Sequence, residues 1–290
     1  MPVPTGLLKK VLCANRGEIA IRIFRACNEL GIRTVAIYSE EDRVHEHRHK
    51  ADEAYLVGKG KRPVEAYLDS ADILRIAKLS GADAIHPGYG FLSENSQFAD
   101  VCKACGVHFI GPRPDMIKLM GNKVKAREAM REAGLPLLPG SKNVLKDEDE
   151  AEAMAKEIGL PVILKAAAGG GGRGMKIVRE LSAVKGAYRT ATAEAAAAFG
   201  NGDMYIERYV EKPRHIELQI VADEHGHIIH LGERECSVQR RHQKLIEESP
   251  SPAMTPALRK RMGDVAIAAM KRINYNSVGT IEFLLDERGE

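Results

Sequence analysis

The first 110 residues alternate short apolar runs with stretches of helical spacing, and that alternation limits the chain to one kind of architecture. Apolar runs fall at 10–14, 34–38, 53–57, 83–86 and 107–110, and helical spacing falls at 17–30, 70–79 and 93–105. Strands separated by helices pair in parallel and are covered on both faces, because each crossover helix must pack back on the sheet. Ligands of such sheets sit beyond the carboxyl ends of the strands. The loop His86-Pro-Gly-Tyr-Gly-Phe-Leu-Ser-Glu-Asn95 holds that position, with a proline and two glycines shaping its backbone.

The pattern changes after a helix expected at 123–133. The stretch Gly134-Leu-Pro-Leu-Leu-Pro-Gly140 reads as a domain boundary. A smaller α/β unit follows, with helices at 149–158 and 181–198 and strands at 161–165, 175–178 and 204–209. Residues 215–221 alternate with period two and 227–233 do so more loosely, which predicts an antiparallel hairpin turned at 224–226. A helix at 256–273 and a strand at 279–285 complete the pattern. The strand 279–285 is left at an open sheet edge, so the expected reading is a chain truncated at its C-terminal end.

Composition excludes several function classes. Lys plus Arg is 43 and Asp plus Glu is 40, a net charge of +3, which gives no reason to expect a nucleic acid or a membrane surface as partner. Aromatic residues are 5% and Trp is absent, so a base-stacking surface is not expected. No apolar run reaches 18 residues, and residues 1–10 lack the pattern of a secretion signal. An odd count of five cysteines then reads as reduced thiols in the cytoplasm.

Three features carry chemistry. In Lys165-Ala-Ala-Ala-Gly-Gly-Gly-Gly-Arg-Gly-Met175, four consecutive glycines between two strands let backbone N–H groups approach one anion, and the flanking Lys and Arg favour phosphate over a plain surface loop. A strand follows these glycines instead of a helix, which excludes the P-loop and the dinucleotide fingerprint. The stretch Glu235-Cys-Ser-Val-Gln-Arg-Arg-His-Gln-Lys244 gathers cationic groups before Pro250 and Pro252. It reads either as a solvated face or as a shaped loop for a small dense anion. Glu282 interrupts an apolar strand and is either a solvent-facing alternate or a carboxylate for a pair or a metal.

Together with Ala14-Asn-Arg-Gly-Glu-Ile-Ala-Ile-Arg22, the 86–95 loop and Met120-Gly-Asn-Lys123, these segments resemble, in order, the motifs of biotin carboxylases. The resemblance covers essentially the whole chain. It implies an N-terminal parallel-sheet, Rossmann-like domain over 1–120 and an ATP-grasp domain over 121–290, incomplete, with a lid at about 135–205. It implies ATP-dependent carboxylation of biotin on a carrier domain through carboxyphosphate, with ATP, Mg²⁺ or Mn²⁺, bicarbonate and biotin as ligands.

The same resemblance implies roles for particular residues. Lys123 and Lys165 would bind ATP phosphates, Gly171 and Gly172 would form the closing lid, and residues from Glu207 to Val210 would form the adenine hinge. His215, Gln239 and His242 would line the nucleotide site, with Gln239, His242 and Lys244 as the catalytic set and Lys244 holding bicarbonate. Glu282 would be a metal carboxylate, and Tyr89 and Gly90 would receive biotin's ureido ring. A carrier domain, a carboxyltransferase and a second copy of the chain are the implied partners. Residues 49–58 lean toward the pyruvate carboxylase branch, with acetyl-CoA carboxylase as the alternative. An ATP-binding module without turnover is the competing reading, and the 239–244 stretch with the Tyr89 loop argues against other ATP-grasp ligases.

In biotin carboxylases a partner strand and an Asn-x-Arg-x-Gln-Val-Glu-His segment follow the position of Glu282 and supply a second carboxylate, an arginine and the base for bicarbonate. No such segment occurs within these 290 residues. The chain alone is therefore expected not to carboxylate free biotin with ATP, Mg²⁺ and bicarbonate, since a placed base is typically worth about 10²–10⁴-fold. Turnover matching that of a protein extended through that segment would overturn this expectation.

Overall fold

Val11, Leu12 and Cys13 are all buried in strand β1 (Lys10–Cys13), the signature of a strand covered on both faces. The computed structural model describes residues 8–167, 174–240 and 243–289 and divides into two compact units, Met1–Lys118 and Leu119–Glu290. In the first unit, α1 (Gly17–Glu29), β2 (Arg33–Tyr38), β3 (Glu53–Leu56), α2 (Pro63–Tyr67), α3 (Ser70–Ser80), β4 (Ala84–His86), α4 (Ser96–Ala104) and β5 (His108–Phe109) follow β1. The sheet order is β3-β2-β1-β4-β5 and every pairing is parallel, as the alternation predicts. The order reverses between β1 and β4, so the loops after these two strands meet at a switch point. Two helices escaped the sequence reading: α2, and α5 (Pro114–Gly121), which carries the chain past the division.

The second unit begins with α6 (Lys123–Glu132) and α7 (Glu148–Ile158), followed by β6 (Val162–Ala166), β7 (Met175–Val178), α8 (Val184–Phe199) and β8 (Met204–Arg208). These three strands form an antiparallel sheet in the order β7-β6-β8, and Leu164, Met204 and Ile206 are buried in a core shared with Ala151, Ala155, Ala191 and Ala195 of α7 and α8. The Pro/Gly-rich stretch 134–140 lies inside this unit and is not a linker. Arg208 N donates to Pro139 O (2.8 Å), Ser141 N donates to Ile206 O (2.8 Å) and Gly140 bridges Glu207, so residues 139–141 run along β8, while Gly134 N and Leu135 N donate back to α6.

The remaining elements are β9 (Arg214–Ala222), β10 (Ile228–Arg240), β11 (Gln243–Glu248), α9 (Pro256–Arg272) and β12 (Ser277–Leu285). Their sheet is antiparallel in the order β11-β10-β9-β12. The hairpin expected at 215–233 is present, and its looser second half has a cause: the register shifts between His230 and Glu233. The loop reading of residues 235–248 is corrected. Residues 235–240 form the outer part of β10 and residues 243–248 all of β11, with register shifts between Glu235 and Val238 and between Val238 and Gln239. Such irregularities break the period-two signal that would have revealed strands. None of the described helices is long and apolar enough to cross a membrane.

One ionic cluster ties the loop after β1 to the loop after β2 and to α2. Asp42 accepts from Arg16 Nε (2.6 Å) and Nη2 (2.5 Å) and from the buried Tyr67 hydroxyl (2.6 Å). The Arg16 guanidinium foremost, with help from Tyr67 and against partial burial, lowers the Asp42 carboxyl from 3.8 to about 2. A carboxyl depressed in the folded state stabilises above its unfolded value, and that stability is lost as pH falls toward the folded value. Asp42→Asn should therefore cost about 1–2 kcal/mol at neutral pH, allowing for solvent at the exposed side of Arg16, and should remove part of the stability lost between about pH 4 and pH 2. Urea unfolding across that range checks it: parallel stability curves for the two proteins would count against the assignment.

Candidate functional site

Helix α6 begins at Asn122, whose side chain caps the N–H of Lys125 (3.0 Å), and this start sets Lys123 and Arg127 one turn apart on one face. Strand β6 carries Lys165 near its end, and β8 presents Tyr205 and Glu207 on one face of its pleat. These five side chains line a cleft of about 1660 Å³ in the second unit, which Val210, Met262, Glu282, Phe283 and Leu284 also line. The cleft is thus cationic on one wall and apolar on much of the remainder.

Glu207 organises the cationic wall. It is 3% exposed. One carboxylate oxygen pairs with Lys165 Nζ and the other accepts from Arg127 Nη1 at 2.7 Å. Lys123 completes a set of three cations to one carboxylate. It has no ion pair or hydrogen bond among the described residues. Burial first, then repulsion from Lys165, pushes its ammonium below the ordinary lysine value, against attraction from Glu207. A half-buried ammonium with no partner among the described residues is a ready site for an anion.

A second ionic network lies on the β9–β10–β11–β12 sheet. Glu217 is buried and accepts from Arg234 Nε (2.5 Å) and from Lys244 Nζ. Lys244 also donates to Glu282 Oε1 at 2.9 Å, which ties this network to the rim of the cleft. Partial desolvation works against the Lys244 ammonium, yet Glu217 and Glu282 together hold its pKa above the usual lysine range. The Glu217 carboxyl stays below its ordinary value because Lys244 and Arg234 outweigh its burial. Lys244 is therefore a fixed positive charge at neutral pH. Among the described residues the one cluster of three metal-type ligands is Glu217, Cys236 and Glu247, and Glu282 is not in it.

In the first unit, the loop after β4 is braced from the loop after β1. The buried Asn15 donates through Nδ2 to Pro87 O and to Tyr89 O, both at 2.8 Å. Gly88 sits at φ +66°, and a Cβ there would lie 2.6 Å from Asn15 Nδ2, so this close approach requires glycine. The Tyr89 hydroxyl donates to Glu18 Oε1 at 2.6 Å, while the ring remains exposed.

The structure therefore gathers Lys123, Lys165, Glu207, Val210 and Glu282 around one cleft, with Lys244 joined through Glu282. His215 lies on β9 opposite Leu284 of the cleft lining, and its Nδ1 is buried without a partner among the described residues. Gln239 pairs with Lys244 in the β10–β11 register, but its side chain donates to Cys236 O (2.9 Å). Tyr89 and Gly90 belong to the other unit. Gly171, Gly172 and His242 lie outside the described residues. Sequence reasoning missed Arg127, Glu217 and Arg234. Two cations at i and i+4 repel each other on a helix, so Lys123 with Arg127 was a usable signal. The period-two face His215-x-Glu217-x-Gln219 was another.

Comparison with known proteins places this geometry. Residues 7–117 match the family model "Biotin carboxylase, N-terminal domain", and residues 122–290 match "Carbamoyl-phosphate synthase L chain, ATP binding domain". The chain is 52% identical to biotin carboxylase 1 of Bacillus subtilis, covering 97% of this chain and 62% of that protein. It is 55% identical to the pyruvate carboxylase of the same organism, over 96% of this chain and 24% of that protein. The biotin carboxylase domain of Hydrogenobacter thermophilus 2-oxoglutarate carboxylase superposes with a TM-score of 0.93 at 52% identity, over 98% of this chain and 62% of that one. That domain is a dimer in complex with MgADP, ADP and bicarbonate. The chain thus spans about a quarter of the pyruvate carboxylase and under two thirds of the other two.

The isolated charge of Lys123 has a measurable consequence. Lys123→Met should raise the thermal midpoint of the protein without ligand by about 2–4 °C, because it removes a half-buried cation that burial and Lys165 disfavour more than Glu207 favours. Differential scanning calorimetry without nucleotide checks it, and a lowered midpoint would mean that Lys123 is stabilised where it lies.

Proposed function

This chain belongs to the biotin carboxylase family, with the ATP-grasp fold in its second unit, and on that premise we propose that it is the ATP- and bicarbonate-activating part of a biotin-dependent carboxylase of the pyruvate carboxylase kind. The observation that carries the reading is the cleft itself, with three cations around one carboxylate on one wall and Lys244 beside Glu282 at its rim. The Lys123 ammonium and His215 Nδ1, both without partners among the described residues, fit a polyanionic ligand with hydrogen-bonding groups.

In this reading Lys123 and Lys165 take the phosphate oxygens of ATP. The backbone near Val210, beside Tyr205 and Leu284, takes the base. Glu282 is the carboxylate that would hold Mg²⁺ or Mn²⁺ against the nucleotide, and such an ion supplies neutralisation of the charge on the transferring phosphoryl group. Lys244 fixes bicarbonate, with Gln239 and His242 as its neighbours in sequence. A bicarbonate oxygen attacks the γ-phosphorus, the bond to the ADP oxygen breaks, and carboxyphosphate forms. Carboxyphosphate then breaks into CO₂ and phosphate, the CO₂ carbon bonds to a biotin nitrogen of a carrier domain, and the N–H proton leaves to the phosphate set free. The work of the chain's own residues is to hold two anions together by cancelling their charge, since Lys244 cannot lose its proton at neutral pH.

Biotin is assigned to the Tyr89–Gly90 loop, which Asn15 and Glu18 hold in shape. Gly171 and Gly172 are assigned to the lid over the triphosphate. A carboxyltransferase and a second copy of the chain are further partners. The free thiols, four of them buried, suit a reducing cytoplasm.

Lys244→Ala in the full-length carboxylase should lower bicarbonate-dependent ATP cleavage by at least about 10²-fold while ATP still binds. Steady-state ATPase assays with and without bicarbonate, beside calorimetric ATP titration, decide it. Undiminished stimulation by bicarbonate would remove Lys244 from the reaction.

A further inference from the structure

Glu207 poses a problem for any ligand that recruits Lys165. Its carboxylate is buried, and Lys165 supplies one of its two cations. If Lys165 turned to phosphate oxygens and left nothing behind, a buried carboxylate would stand uncompensated, which proteins tolerate poorly. Arg127 is built to stay. Its Nη1 donates to Glu207 Oε2 at 2.7 Å, its Nη2 donates to Leu138 O at 2.9 Å, and its guanidinium carbon lies 5.8 Å from the centroid of the Tyr205 ring. Its Nε is buried and has no acceptor among the described residues, so the group is not placed for the greatest number of hydrogen bonds. It is placed where it faces the second oxygen of Glu207.

We propose that Arg127 is a positioning residue for the nucleotide: it is the resident counter-ion of Glu207 and thereby frees Lys165 to bind phosphate. This inference rests on the nucleotide reading of the cleft and deepens it. The two oxygens of Glu207 divide the labour. The one facing Arg127 keeps its partner throughout, and the one facing Lys165 releases an ammonium that the unpaired Lys123 already repels. With Arg127 removed, Glu207 holds Lys165 as its sole strong partner and competes with the triphosphate for it. Arg127 itself touches no reacting atom in this scheme.

The test is ATP binding by the full chain, measured by isothermal titration calorimetry. Arg127→Met should raise the Kd at least about tenfold. Arg127→Lys keeps a cation and should stay within about threefold of the original protein. In a Glu207→Gln background the demand for a counter-ion is gone, so adding Arg127→Met there should change the Kd by less than about twofold. A merely structural role for Arg127 would not be rescued in this way. Should Arg127→Met alone fail to fold, the comparison within the Glu207→Gln background decides: equal Kd values support the proposal and a further tenfold loss overturns it. Lys165→Ala serves as the reference. If it weakens ATP binding and Arg127→Met does not, the counter-ion role is wrong and the nucleotide reading stands. If Lys165→Ala leaves ATP binding intact, the phosphate reading of Lys165 falls, and this proposal with it.

Discussion

The burial of one carboxylate, Glu207, between Lys165 and Arg127 shapes the candidate site more than any other contact. It joins three segments that the chain brings from far apart: α6 and the ends of β6 and β8. A charge placed in a low-dielectric interior demands partners, so Glu207 fixes where two cations lie and leaves Lys123 as the third, without a mate among the described residues. The cleft owes its positive wall to this imbalance. The same segment of β8 takes residues 139–141 along its edge, which secures the strand that bears Glu207.

The second network follows the same logic with a different result. Glu217 on β9 binds Arg234 and Lys244, and Lys244 also reaches Glu282 on β12. Every cation here has a carboxylate, so the lysine keeps its proton and holds one position. Strand pairing makes this possible: Glu217 and Glu282 are register partners on adjacent strands, which brings two acidic side chains side by side, and Lys244 from the hairpin lies against both. Without Lys244 and Arg234 the two carboxylates would repel each other.

Much of the fold was legible in the sequence because burial imposes a period. The parallel sheet of the first unit, the antiparallel hairpin of β9 and β10, and the long helix α9 each follow from the spacing of apolar residues. What escaped had physical reasons. Helix α2 has five residues, too few for a period to show. The β10–β11 hairpin hides behind register shifts and a run of charges. The Pro/Gly-rich segment at 134–140 reads as a boundary, yet its start hydrogen-bonds back to α6 and its end pairs with β8.

For the site, the sequence by itself marked the candidates: the glycine run, Lys165, Lys244 and Glu282 by residue type, and Lys123 by its resemblance to one family's motif. The glycines and Glu282 stand out because glycines weaken a strand and a carboxylate interrupts an apolar one. The tertiary structure alone decided which charges neutralise each other. Arg127, Glu217 and Arg234 look like ordinary surface residues in the sequence. Their meaning comes from distance and burial, because Coulomb attraction between two side chains depends on their separation and on the water excluded around them. No spacing along a chain encodes that Arg127 will face Glu207, 80 residues away, at 2.7 Å.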